Sequence, residues 1–194
     1  MARWFTSDLH LGHANIIEYC DRPFADVDEM NRALVERWNR VVAADDEVWV
    51  LGDMAMGQIA DSLGLVRGLA GRKILLAGNH DRCWFGHAAK RKARVDEWTA
   101  TYRDAGFDEI HQDSVNLSIG DADVVACHFP YQGDSHDADR YSQHRPIDRG
   151  RWIVHRHVHN TWRVQGRQIN VGVDVWDYQP VAEDTLATIM SAGV

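Results

Sequence analysis

Four consecutive residues, Gly78, Asn79, His80 and Asp81, bring an amide, an imidazole and a carboxylate directly behind the apolar run from Ile74 to Ala77. Groups of these types bind divalent cations or move protons. Similar polar residues recur where other apolar runs end: Asp8 and His10, Gly52 and Asp53, His128, and His157 and His159. Side chains alternate along an extended chain, so Asp8 and His10 point to one side, as do His157 and His159. Asp8 and His10 can therefore grip one ion. Carboxylates, neutral imidazoles and an amide oxygen suit Mn²⁺, Fe or Zn²⁺ better than Ca²⁺, and the lack of thiolates argues against a structural zinc. Two divalent ions held by Asp8 and Asp53 would leave a net positive hole suited to a phosphate. Such a pair clamps a phosphoryl group, acidifies bound water and stabilises in-line displacement.

The elements that must position these groups follow from periodicity. Strands are expected over residues 3–7, 47–51 and 72–77, each ending in a polar turn. Asp26, with Glu29 three residues on, forms a capping-box pattern ahead of a helix marked by Val27, Met30, Leu34, Trp38 and Val41. A second helix is marked by Ile59, Leu63, Val66 and Leu69, and a third covers about 88–105. The rhythm then shifts to shorter strands near 107–111, 114–119, 122–127 and 151–155, with a hairpin around Gly166 and a last helix over 181–190. Strand, polar turn and helix in repetition predict a layered α/β fold. The polar stretch from Gln132 to Gly150 is long for a connection and is a candidate lid or specificity segment. The basic run Lys90, Arg91, Lys92 and Arg94 reads as a solvated helix face.

The chain has 194 residues, 45% of them hydrophobic, and four prolines, which predicts one ordered domain over residues 1–194. No N-terminal stretch is apolar enough for a leader or membrane span. Three unevenly spaced cysteines, Cys20, Cys83 and Cys127, argue against a disulfide framework and for a cytoplasmic location. A net charge of −8 argues against binding duplex nucleic acid. Eleven histidines in this length add weight to the metal reading. Oligomeric state is not written in these features.

The five polar segments in order, Asp8-Leu9-His10, Gly52-Asp53, Gly78-Asn79-His80-Asp81, His128 and His157-Val158-His159, resemble the motif set of the calcineurin-like metallophosphoesterases. The similarity extends to the small bacterial and phage branch through the wording around Trp4 to His13. That resemblance implies a four-layer α/β/β/α sandwich and two divalent ions, with Mn²⁺ expected and Fe, Zn or Ni as alternatives. One ion would be held by Asp8, His10, Asp53 and His159, the other by Asp53, Asn79, His128 and His157, with Asp53 as the bridge. A metal-bridging hydroxide would attack in line. His80 would be the general acid with Asp81 beside it, and Asn79, His13 and Arg156 are the candidate substrate contacts. The implied activity is hydrolysis of a small phosphodiester, such as a cyclic nucleotide or an oligonucleotide. A phosphomonoesterase and a catalytically weak scaffold are the alternatives.

Two departures from the family pattern carry expectations. The chain continues after Asp53 as Met54, Ala55, Met56 and Gly57, so it lacks the Arg that protein phosphatases of the family place on the phosphate. Arg156 stands where the family has Gly. An Arg there is expected to strain a turn that favours glycine and to repel the second ion beside His157. Alternatively, it swings outward onto a phosphate oxygen.

Overall fold

The computed structural model describes residues 1–134 and 140–193, and the side chains of all of these except 88–91. In chain order the elements are β1 (Arg3–Thr6), α1 (Asn15–Tyr19), α2 (Val27–Val41), β2 (Glu47–Val50), α3 (Ile59–Gly64), β3 (Arg72–Leu76), α4 (Ala88–Asp104) and β4 (Glu109–His111). They continue as β5 (Val115–Ile119), β6 (Ala122–Ala126), β7 (Trp152–His155), β8 (Val164–Gln165), β9 (Gln168–Asn170), β10 (Val181–Ala182) and α5 (Glu183–Ala192).

The strands form two five-stranded sheets, ordered β10-β1-β2-β3-β4 and β5-β6-β7-β9-β8. Strands β1 to β4 run parallel, as do β6, β7 and β9. Alternation along each strand divides the core. Phe5, Trp49, Ile74, Val124 and Val154 pack between the sheets with Leu186 and Met190 of α5. Val48, Val50 and Leu75 face the other way, against Met30, Leu34 and Trp38 of α2. The three- and four-residue spacing of those helix positions makes this buried stripe.

Helix α2 starts as its sequence predicts, with the Asp26 carboxylate accepting from the Glu29 amide at 2.8 Å. The Glu29 carboxylate reaches one residue further back than in a standard capping box and accepts from the Ala25 amide at 2.7 Å. Two expectations are corrected. The helix expected from Ile59 to near Gly71 is α-helical only to Gly64 and then tightens into a 3₁₀ turn over Leu65–Gly68. Residues 181 and 182, expected in the last helix, instead pair antiparallel with β1, and α5 begins at Glu183. The open edge of β1 offers backbone partners that a helix start would leave unused.

Parallel strands put their carboxyl ends on one edge. Beyond β1, β2 and β3 lie Asp8–His10, Asp53 and Asn79–Asp81. Beyond β6 and β7 lie His128 and His157–His159. An isolated bridge between Ser7 and Gly172 joins the two sheets at that edge. No helix among the described residues is long and apolar enough to cross a membrane.

Candidate metal centre

The loops after β1 and β2 extend the sheet ladder past its ends. The amides of Asp8, His10 and Leu11 donate to the carbonyls of Gly52, Asp53 and Met54 at 3.0–3.1 Å. Two glycines let the loops close. Gly52 has φ +94°, and a Cβ on it would lie 2.6 Å from both the Gly78 nitrogen and His128 Nδ1. Any larger residue would therefore force the loops and His128 apart.

The backbone at this edge is held in unfavourable conformations. Asp8, His10, Asp53, His157 and His159 all have φ between +49° and +82°. Each left-handed residue other than glycine costs of order 1–3 kcal/mol, and such residues persist only where the surroundings over-determine them. Here a buried pair supplies part of that constraint. Arg22 forks onto the Asp174 carboxylate at 2.7 and 3.0 Å and donates to the carbonyls of Asp8 and Leu9 at 2.8 and 3.0 Å. Arg22 and Asp174 escaped the sequence reading because they lie 152 residues apart and match no spacing pattern.

The ligating atoms converge in two overlapping groups. Asp8, His10 and His159 form one; Asp8, Asp53 and His128 form the other, the donor atoms within each lying within 4.8 Å of one another. The Leu51 carbonyl accepts from His128 Nδ1 at 2.7 Å, which turns Nε2 toward Asn79 Oδ1 at 3.0 Å and Asp53 Oδ2 at 3.6 Å. Three donor atoms gathered this closely form a set that a divalent cation can occupy. Both ring nitrogens of the fully buried His10 lack a hydrogen-bond partner among the described residues. Leaving such groups unpaired costs ~1–3 kcal/mol each. This donor set fits divalent ions.

Electrostatics keep the donors in their binding forms. Burial lowers the pKa of His10 well below its usual range. It does the same for His159, reinforced by the Arg156 charge, and takes His157 down to about 3, reinforced by His128. These imidazoles are therefore neutral at physiological pH and offer lone pairs. Burial alone would raise Asp53, but His128, His80 and His10 outweigh it and hold the carboxyl below its ordinary range.

His157 sits at the margin of this cluster. Its ring lies 5.6 Å from that of His128, and its Nε2 is 3.2 Å from Asp134 Oδ2. Asp134 belongs to the long polar stretch expected to act as a lid, and Tyr141 from the same stretch packs its ring 5.5 Å from His157. Residues 135–139 of that stretch lie outside the described part. His80 lies at the mouth, its ring exposed and 5.8 Å from that of His10, while its backbone amide donates to Asp53 Oδ1 at 2.8 Å. His13 stands beside them, half-buried, 5.5 Å from the His10 ring.

Asp81 is placed differently from its assignment as a catalytic partner of His80. It is fully buried, and its carboxylate accepts from the amides of Asp53, Met54 and Gly78 at 2.8–3.1 Å and from the Tyr102 hydroxyl at 3.0 Å. All its lone pairs are spent on tying the two loops together. Asp81 is a positioning residue.

Arg156 meets neither expectation. Its φ is not in the left-handed region; the positive value belongs to His157. The side chain is completely buried. Its Nε pairs with the Asp8 carboxylate, and its Nη2 lies 3.3 Å from Asp174 Oδ2 and 3.2 Å from His159 Nδ1. The guanidinium thus bears on the donors of the first ion, not on His157. Arg156→Met keeps the volume and removes the charge. It should raise affinity for the first ion about tenfold or more, since relief of ~1.4 kcal/mol of repulsion is a factor of ten and a unit charge at such range exceeds that even when well screened. Calorimetric metal titration measures this; unchanged or weaker binding would contradict it.

A family model described as calcineurin-like phosphoesterase matches residues 1–181. The chain belongs to that family. Among its relatives, the Gene 66 protein of Mycobacterium phage L5 is 36% identical over 89% of this chain and 86% of its own. An uncharacterized protein of Methanocaldococcus jannaschii is 30% identical over 98% and 92%. A protein of unknown function from Aquifex aeolicus has a solved structure that covers 97% of this chain and 98% of its own. Its TM-score is 0.68 at 24% identity, a likeness of fold. This calcineurin-like phosphoesterase thus has the facing sheets and the α/β class expected of it, with its candidate metal ligands gathered at one edge.

Proposed function

We propose that this phosphoesterase hydrolyses small phosphodiesters with two divalent ions, Mn²⁺ foremost and Fe, Zn or Ni as substitutes. The convergence of His128 Nε2, Asn79 Oδ1 and Asp53 Oδ2 carries the reading. Asp8, His10 and His159 would hold the first ion with Asp53; Asp53, Asn79 and His128 would hold the second, with His157 beside it. When bound, the ions neutralise phosphate charge and acidify water. The chain's own part is to orient the ester and handle protons. His80, exposed at the mouth, would protonate the departing oxygen, and its amide donates to Asp53. Asn79 and His13 line the approach of the phosphate.

The preference for a diester rests on two family positions beside the metal ligands, neither of which offers a free guanidinium. A monoester phosphate carries an extra negative charge, which guanidinium groups neutralise well. The position after Asp53 has no Arg, and Arg156 is buried behind Asp8. The acidic net charge of −8 disfavours duplex nucleic acid as partner.

A metal-reconstituted panel of cyclic nucleotides, dinucleotides and phosphomonoesters tests the proposal. Chelator-treated protein should be inactive, Mn²⁺ should restore it best, and diesters should exceed monoesters in kcat/KM by about tenfold or more, the worth of one charged contact. Full activity without metal, or a monoester preference, would overturn it.

A further inference from the structure

A cleft of about 520 Å³ opens from Asn79 and His80 and runs outward along α4. Met56 and Ile59 are among its apolar lining. Arg94, Val95 and Trp98 also line it, three residues whose spacing puts them on one helix face. Arg82 and His87 complete its polar lining, and no Asp or Glu lines it. That is unusual in a chain with 29 acidic and 21 basic residues. Neither the Arg82 nor the Arg94 guanidinium has a hydrogen bond or ion pair among the described residues, and both side chains are exposed. Arg94 is exposed, as expected of its basic run, and it also lines the cleft. The side chains of Lys90 and Arg91 lie outside the described part.

Two unpaired guanidinium groups in an acid-free cleft suit an anion, since Arg presents a planar fork that matches phosphate oxygens. The half-buried Trp98 indole beside them suits a planar ring, because base–aromatic stacking tolerates any base. The cleft begins at His80, the residue nearest the departing group. We propose that it is a subsite for a nucleotide arm of the substrate, with the base against Trp98 and a second phosphate between Arg82 and Arg94. This deepens the phosphodiesterase reading and rests on it for the identity of the reacting group.

Binding of the arm can be measured without turnover. Metal-loaded protein is titrated calorimetrically with a nucleoside 5′-monophosphate and with the matching 3′,5′-bisphosphate. The bisphosphate should bind about tenfold more tightly, as expected for one charge-assisted contact in a partly exposed site. The double variant Arg82→Gln, Arg94→Gln should erase that ratio; both positions are exposed, so the fold does not depend on them. Trp98→Leu should weaken both ligands about tenfold while keeping the ratio. Equal affinities in the parent protein, or a ratio that survives the double variant, would overturn the phosphate subsite. Unchanged affinities in Trp98→Leu would overturn the ring subsite. A protein that keeps the ratio but hydrolyses no phosphoester would overturn the hydrolase reading alone.

Discussion

Asp53→Asn is expected to lower kcat/KM by on the order of 10³ and to reduce bound metal at both positions, as removal of several kcal/mol of charge stabilisation requires. The carboxylate has two oxygens with separate duties. Oδ1 accepts from the His80 amide at 2.8 Å, and Oδ2 faces His128 Nε2 at 3.6 Å. An amide in its place keeps the shape but removes the negative charge, and its NH₂ group offers hydrogens where a cation needs lone pairs. The surroundings already favour the ionised form of Asp53 despite its burial. A ligand to one ion should matter less; His159→Gln is the comparison. Metal content by elemental analysis, measured beside kcat/KM, separates the cases. Near-normal activity and full metal content in Asp53→Asn would remove Asp53 from its bridging role.

The second large effect concerns His80. A ribose alkoxide leaves poorly without a proton, whereas a nitrophenolate departs almost unaided. His80→Ala should therefore cost ~10²–10⁴ in kcat on a dinucleotide and far less on an activated aryl diester. The ring is exposed at the cleft mouth and makes no hydrogen bond through its nitrogens among the described residues, so its removal leaves no buried partner unpaired. The backbone amide that donates to Asp53 survives the substitution. Equal losses on the two substrates would instead point to a structural role in holding the Asn79–Asp81 turn.

By itself the sequence determined the order of the polar segments, their places at strand ends, and their chemistry. Each of these is local. A short apolar run sets a strand, a glycine turns it, and the ligand type follows within three residues, as at Gly52-Asp53 and Gly78-Asn79-His80. The capping residue Asp26 and the helix stripe of Met30, Leu34 and Trp38 were legible for the same reason. Even so, β10 and the 3₁₀ turn at Leu65–Gly68 were not, because an open sheet edge and packing, rather than local propensity, decide short elements.

Only the tertiary structure decided which way the polar side chains face. Asp81 and His80 are neighbours in sequence, yet one is buried under four donors and the other lies open at the cleft. Arg156 turns inward to Asp8 and Asp174, a direction set by charges from distant parts of the chain. The Arg22–Asp174 pair arises only when remote segments meet. Residue type and spacing carry the chemistry of each group. Burial and the nearest opposite charge, which a linear pattern does not encode, determine whether that group grips an ion, braces a loop or waits for a substrate.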